Sequence, residues 1–480
     1  VNDNTIIPLP CFVAGRPTQG SETLEIRDVT GGTLLARVTV PSPEDVEAAI
    51  AAAQAARPSM QAFPLDARRR VLDGLARRLR ERAPSFVELL CSEAGKPLRD
   101  ARLEVERAVE TFSLAAEEAV RPEGEILELG YAPRGRGVRG FVRRFPPGPA
   151  ALITPFNFPL NLVAHKVAPA VAAGVPFLLK PSERTPLCAL ALGDLFAETD
   201  LPSGSWSILP LPGARTAPLV EDERIAILSF TGGQVGWTLR ARAGRKKVLL
   251  ELGGNAACLV DADQEGKLED IVPRVARGAF AQSGQSCISV QRVLVHERLY
   301  ERFRDRFVAA ARALRLGDPH EEATDLGPLI DRAAAERIRS WMAEAREAGA
   351  RLLAGGEGEG TMIPPTVFEN VPHHVRLWSE EVFGPVAVLE PFRTWSEGIE
   401  AVNDSVYGLQ AGLFTDSLER VQEAWEKLEV GGIVVNESPN FRLDAMPYGG
   451  VKRSGTGREG LRAAIRELTE PRLLVVRTVG

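Results

Sequence analysis

The apolar positions of the chain change period along its length. Between Asp66 and Ala119 they recur at helical spacing, with Val71, Leu72, Leu75 and Leu79 on one face and arginines on the solvated side. Just before this region, "PSPEDVEAAIAAAQAA" carries helix-start chemistry. Ser42 can cap, Pro43 suits the first turn, and Glu44 and Asp45 favour the positive end of the helix dipole. The chain up to about Val40 reads as short strands and turns. From Ala150 to Leu252 short apolar runs alternate with helical ones. The strand-like runs are "ALIT", "VPFLLK", "WSILPL", "IAILSF" and "KVLLEL"; the helical ones are "LNLVAHKVAPAVAA", "PLCALALGDLFAE", "ARTAPLVEDE" and "VGWTLRARAG". That alternation predicts a parallel, doubly wound α/β sheet, which binds ligands at the carboxyl ends of its strands. A second α/β series runs from Leu252 to about Met446, with strands in "AACLV", "VQRVLVHE", "PPTVFEN", "PVAVLEP" and "GGIVVN".

Two stretches fall outside both series. Gly130 to Pro147 is rich in Gly and Arg and predicts a projecting hairpin. The last segment, "EPRLLVVRTVG", is a lone apolar strand that needs a partner in this chain or another. Both are candidates for a subunit contact.

Composition narrows the function classes. The 480 residues are 44% hydrophobic and 25% charged, enough for a large core without staples. A net charge of −6 argues against a nucleic-acid partner. The five cysteines are odd in number, far apart and form no CxxC pair, which disfavours a disulfide framework or a zinc site. A reducing compartment fits them best. The first residues carry no signal pattern, and the longest apolar run, "APAVAAGVPFLL", is too short for a bilayer. The expectation is a soluble, cytoplasmic protein with no membrane partner and no bound metal.

Several strand ends carry candidate chemistry. Cys287 follows Ser283-Gly284-Gln285-Ser286 and precedes a strand, an unusually polar setting for a core cysteine. GxGxxG occurs at Gly135–Gly140 and at Gly455–Gly460. The first has no helix after it and the second follows no clear strand, so neither reads as a dinucleotide fingerprint. "ILSFTGGQVGWTLRA" has the better context. There Thr231, Gly232 and Gly233 end a strand and open a helix, as a pyrophosphate site or an ordinary turn would. Lys180 ends an apolar strand and needs an acidic partner or a ligand. Glu183 reads as a loop acid or as an acceptor for ribose hydroxyls. Glu251 closes "KVLLEL" ahead of two glycines, either salt-bridged or a base of raised pKa. His165, in "VAHKVAP", reads as a packed or hydrogen-bonded helix residue, and Cys188 and Cys258 as core.

Taken in order, "TPFNFPL", "LLKPSE", "SFTGG", "ELGGN", "GQSC", "EEVFGP" and "PYGGVKRSGTGREG" make the chain resemble the aldehyde dehydrogenase superfamily over nearly its whole length. The resemblance implies a Rossmann-like parallel-sheet cofactor domain (1–123 and 147–252), an α/β catalytic domain (253–451) and a small β oligomerisation arm (124–146 and 466–480), assembled as a homodimer or homotetramer. It implies Cys287 as nucleophile and the Asn157 amide as oxyanion donor. Glu251 would activate the thiol, the deacylating water, or both. Lys180 and Glu183 would hold the adenosine ribose, Glu381 the nicotinamide ribose, and Phe383 would pack by the nicotinamide. Thr231 to Gly233 would lie near the pyrophosphate. The implied cofactor is NAD, with NADP also possible; a carboxylate at Glu183 would repel a 2′-phosphate.

The chain also departs from the family. Gly233 stands where a serine is common, which predicts weaker or more mobile cofactor binding. Phe156 stands where tryptophan is common and would alter the substrate tunnel. The branch resembled includes lactaldehyde, succinate-semialdehyde, phosphonoacetaldehyde and non-phosphorylating glyceraldehyde-3-phosphate dehydrogenases. Arg107 and Arg442 are candidates to grip an anionic aldehyde, or are structural. Ser286 stands where several anion users place a further arginine. The retained Glu251 favours hydrolysis over acyl transfer to coenzyme A, the main alternative; a cofactor-binding relative with another substrate class is the other.

Overall fold

The computed structural model describes residues 8–477. The predicted alternation becomes an eight-stranded sheet whose five central strands are parallel. Their order is Trp206–Ile208, Phe177–Lys180, Ala150–Ile153, Ile227–Thr231, Lys247–Glu251. The first strand in sequence, Ala150–Ile153, therefore sits between the second and the fourth. This is a topological switch point, where the connections leave in opposite directions and open a crevice at the carboxyl edge. Antiparallel strands close both edges, and one of them is Gly455–Thr456 beside Glu251. The second GxGxxG stretch thus does have a short strand under it, and the helix Leu461–Glu467 after it.

The helical stretch divides into Leu65–Glu81, Ala83–Ala94 and Leu98–Ala119. The middle helix ends at Gly95, in left-handed conformation at φ 64°. These helices and the fully buried Asn161–Ala173 form the largest core against one face of the sheet. Ser42 caps its helix as expected, and Asp45 adds a reciprocal bond that completes a capping box. The expected helix over "ARTAPLVEDE" is only a single turn at Gly213–Arg215 and a short helix, Ala217–Glu221. Pro218 lies in its first turn and Asp222 ends it in extended conformation.

The second series forms a seven-stranded sheet, parallel except at the Arg351–Ala354 edge. It contains one interior strand the pattern did not predict, Gln410–Phe414, between Ala256–Val260 and Gly432–Val435. The Gly-rich stretch extends further than expected: its hairpin pairs Gly124–Glu128 with Val138–Phe145. The tail strand Glu470–Arg477 adds to Val138–Phe145 in the same chain, with every residue exposed. Among the described residues no helix is long and apolar enough to cross a membrane.

Candidate functional site

Strand ends and loops from both large sheets meet around a cavity of about 280 Å³. Every candidate side chain except Lys180 and Glu183 lines it.

Asn157 hangs in the loop between Ala150–Ile153 and the helix Asn161–Ala173. Glu104 fixes that loop from below, accepting from the Leu160 and Asn161 N–H groups at 3.0 Å each. Glu104 is itself paired with buried Lys96, whose ammonium lies 3.9 Å from the Phe158 ring centroid. A buried ion pair survives when further hydrogen bonds use up its charge, as here. Asn157 Nδ2 donates to the Gln285 carbonyl at 2.9 Å, and the Gln282 side-chain amide donates to the Asn157 carbonyl. One Nδ2 hydrogen is left for a ligand, and the amide is tied to the loop that carries Cys287.

That loop is strained. Gln282, Ser283 and Gly284 are left-handed in succession, at φ 51°, 55° and 66°. Non-glycine residues there cost about 1–3 kcal/mol each and persist only where the surroundings hold them. The holds are Ser283 Oγ on the Gly327 carbonyl at 2.7 Å and the Asp100 carboxylate on the Gln282 N–H at 3.1 Å. Gly284 has no alternative, because a Cβ there would meet the Gly384 carbonyl oxygen at 2.1 Å.

The Cys287 sulfur lies 2.9 Å from the Tyr448 hydroxyl. Burial pushes its thiol up to about 12; the Tyr448 hydrogen bond works the other way, and the Glu381 and Glu251 charges add to the rise. The thiol therefore rests protonated and needs a base. Glu251, at the end of Lys247–Glu251, suits that need. Its Oε2 is buried without a partner, and burial, then the Glu459 charge, raise its carboxyl well above the usual range.

Glu459 is the opposite case. Burial opposes its charge, but Lys166 and Arg442 outweigh it and hold the carboxyl low. Lys166 Nζ donates to Glu459 at 3.1 Å and to Ser229 at 2.8 Å; Arg442 donates to Glu459 at 3.1 Å. The Arg442 guanidinium lies 3.7 Å from the Tyr448 ring centroid, and its Nε is buried without a partner. Arg107 sits at the same mouth, but Asp444 holds it at 2.6 Å and also meets His165 at 2.7 Å.

The carboxyl edge suits a dinucleotide. The Gly232 N–H is used by the Glu251 carbonyl, whereas those of Gly233, Gln234 and Val235, at the start of Val235–Arg242, make no backbone hydrogen bond among the described residues. Lys180 is largely buried, and its ammonium, lowered in pKa by burial, has no hydrogen bond or ion pair among the described residues. Glu183 accepts from the Gly213 N–H at 2.6 Å on the same edge. Glu381 accepts from the Gly254 N–H at 2.8 Å, and burial pushes it up to about 7. Its carboxylate fills the space a Cβ at Gly253 would need, since Oε2 would lie 2.2 Å from that Cβ. Phe383, at φ 49°, meets Phe156 edge-on with centroids 5.8 Å apart.

Sequence reasoning did not assign Tyr448, Glu459, Lys166 or Asp444. Two of them, Tyr448 and Glu459, lie inside "PYGGVKRSGTGREG", and a lysine in the fully apolar face of Asn161–Ala173 was a signal for Lys166. Asp444 carried no local signal.

The sequence matches the aldehyde dehydrogenase family over residues 16–474. A 3-sulfolactaldehyde dehydrogenase of Priestia aryabhattai is 40% identical over 467 residues, covering 97% of each chain. Aldehyde dehydrogenase 21 of Physcomitrella patens, solved with the reaction product succinate, superposes with a TM-score of 0.97 at 44% identity and 99% coverage of both chains. The glyceraldehyde-3-phosphate dehydrogenase GapN of Methanocaldococcus jannaschii, solved with NADP, superposes with a TM-score of 0.91 at 34% identity, over 96% of this chain and all of the other. A cysteine, a partnerless carboxyl and an amide donor around one cavity, beside a dinucleotide-shaped strand edge, agree with that match: the chain belongs to the aldehyde dehydrogenase family of NAD(P)-dependent oxidoreductases.

Proposed function

We propose that the protein oxidises a small polar aldehyde with an anionic group to its carboxylic acid, using NAD, with NADP as a second acceptor. The observation that carries this reading is the convergence of Cys287, Asn157 and Glu251 on one cavity next to the Thr231–Gly233 turn. An aldehyde gives up hydride only once its carbonyl carbon is tetrahedral. Glu251 takes the Cys287 proton, the thiolate adds to the carbonyl, and the free Nδ2 hydrogen of Asn157 receives the oxyanion. The bound cofactor supplies the hydride acceptor. Lys180, Glu183, Glu381 and the Thr231–Gly233 turn would hold it, with Phe383 against the nicotinamide. Glu251 then activates the water that releases the acid from the Cys287 thioester.

Arg442 supports an anionic substituent. Its side chain lines the cavity over the Tyr448 ring, with its charge shared with Glu459. That cation would attract an anionic group on a substrate held in the cavity. Arg107 lines the same cavity, held by Asp444 as Arg442 is held by Glu459. The relatives lean the same way: one is named for a sulfonated aldehyde, and another was solved with succinate. Phe156 lines the same cavity.

The two-part cofactor and catalytic organisation and the three-stranded arm support a homodimer or homotetramer. The strand Glu470–Arg477 leaves one edge unpaired and exposes Leu473 to Val476. All five cysteines are free, which supports a cytoplasmic setting.

The test follows NADH formation across lactaldehyde, glycolaldehyde, succinate semialdehyde, glyceraldehyde 3-phosphate and a plain aliphatic aldehyde. Each is run with NAD and with NADP, with and without coenzyme A, and with Cys287→Ala as control. Turnover independent of coenzyme A, highest on the anionic aldehydes and absent in Cys287→Ala, is the expected result. Acceleration by coenzyme A with a thioester product would replace hydrolysis by acyl transfer. Equal KM values for anionic and neutral aldehydes, unmoved in Arg442→Gln and Arg107→Ala, would remove the anionic substrate.

A further inference from the structure

We infer that Tyr448 is a positioning residue for the nucleophile, its hydroxyl donating to the Cys287 sulfur so as to stabilise the thiolate over the thiol. The inference rests on the reading of Cys287 as the reacting thiol. Among the described residues, the Tyr448 hydroxyl is the one side-chain group hydrogen-bonded to the sulfur, at 2.9 Å. The nearest acids, Glu251 and Glu381, oppose a negative sulfur, so this contact and the Arg442 charge are what favour it.

The ring has little freedom to leave that position. It is 4% exposed, and its backbone exchanges two hydrogen bonds with Glu459, at 3.0 and 2.7 Å. Glu459 in turn anchors the Arg442 guanidinium that lies over the ring. Burial raises the Tyr448 phenol well above its usual value, so it keeps the proton it donates, while the Arg442 cation over the ring works the other way. A neutral thiol is a weak acceptor, whereas a hydrogen bond to a thiolate is charge-assisted and roughly twice as strong. The contact therefore favours ionisation.

Proton bookkeeping leaves Tyr448 unchanged. The S–H proton passes to Glu251, the sulfur lone pair forms the C–S bond, and the carbonyl π pair moves to oxygen. Tyr448 keeps its O–H throughout. Once the C–S bond exists the sulfur is a poor acceptor, so the contact helps ionisation more than it helps the addition.

Tyr448→Phe removes the hydroxyl alone. Alkylation by iodoacetamide, followed by mass against pH, reads the result at Cys287, because the other four cysteines are buried. The apparent pKa of Cys287 should rise by about one, a tenfold loss of thiolate near neutrality. A more basic thiolate is also more nucleophilic, by about threefold at a Brønsted slope near 0.4–0.5, so the net rate at neutral pH should fall about threefold. A merely displaced sulfur would lower the rate per thiolate and leave the pKa in place, which would overturn the inference. Unchanged NAD affinity in the variant shows that the fold is intact. Aldehyde turnover by the parent protein together with an unmoved pKa in Tyr448→Phe defeats the inference and leaves the dehydrogenase reading standing. A moved pKa in a protein that turns over no aldehyde supports the contact and defeats the reading.

Discussion

Two short neighbouring regions border the Cys287 pocket, and each presents a glutamate. One is the strand end at Glu251; the other is the turn that carries Glu459. Both side chains are almost wholly buried, and burial pushes both carboxyls the same way. They end at opposite extremes. Glu459 has two cations in hydrogen-bond reach, Lys166 and Arg442. Glu251 has an oxygen with no partner and feels Glu459 as a like charge. Burial alone therefore does not set proton affinity; the partners that arrive with it do. The arrangement separates an anchor that keeps its charge from a base that can take and return a proton.

The largest test of that division is Glu251→Gln. Turnover should fall by about 10²–10⁴, the usual worth of a general base, and the first burst of NADH should slow with it because Glu251 takes the thiol proton before hydride leaves. Rapid-mixing kinetics separates the two phases, and a burst at the parent rate would confine Glu251 to release of the acid. Glu459→Gln should act on the fold first. Removing one member of a buried ionic cluster strands Lys166 and Arg442 and costs about 3–5 kcal/mol in urea unfolding. If Glu459→Gln were as stable as the parent and as slow as Glu251→Gln, the division would fail.

The pH dependence of stability sharpens the comparison further. The raised Glu251 carboxyl binds its proton more tightly folded than unfolded. Its contribution is complete at low pH and is lost as pH rises from about 4.3 through its folded value. The lowered Glu459 carboxyl contributes fully above about 4.3 and loses that contribution as pH falls toward its folded value. Each unit of separation is about 1.4 kcal/mol. Urea midpoints from about pH 2 to 9 should thus fall less toward alkali in Glu251→Gln and less toward acid in Glu459→Gln.

The smallest expected effect leaves both glutamates alone and reads the cofactor side. A Cβ at Gly233 would meet nothing within 4 Å, and its backbone is not left-handed. Gly233→Ser should fit and add one hydroxyl beside the free N–H groups. One hydrogen bond of about 0.5–1.5 kcal/mol tightens NAD about 2- to 10-fold, measurable by calorimetry. No change in Kd would mean that the backbone donors already suffice.

Much of this was legible in the chain. The alternation between Ala150 and Leu252 carried the parallel sheet, because strands buried on both faces show as short apolar runs. Gln410–Phe414 escaped notice: "QAGLF" has a glutamine and a glycine in five residues, although the strand is buried throughout. The glutamine is legible only in three dimensions, where its amide donates to the Pro439 and Phe441 carbonyls. The helix expected at "ARTAPLVEDE" failed for a local reason, since Pro218 and Asp222 leave room for little more than one turn. Arg107 and Arg442 read alike in sequence, and only the fold gives the first to Asp444 and the second to Glu459.

By itself the sequence determined most of the strand and helix alternation, the placement of Cys287, Asn157, Glu251 and the Gly-rich turn at element ends, and the family. Those depend on periodicity and on backbone chemistry between near neighbours. The tertiary structure alone decided which carboxyl is raised and which lowered, which acid each arginine pairs with, and that Tyr448 meets the sulfur. Burial and Coulomb interactions act through space, over a few ångströms, between residues as far apart in the chain as Lys166 and Glu459 or Cys287 and Tyr448.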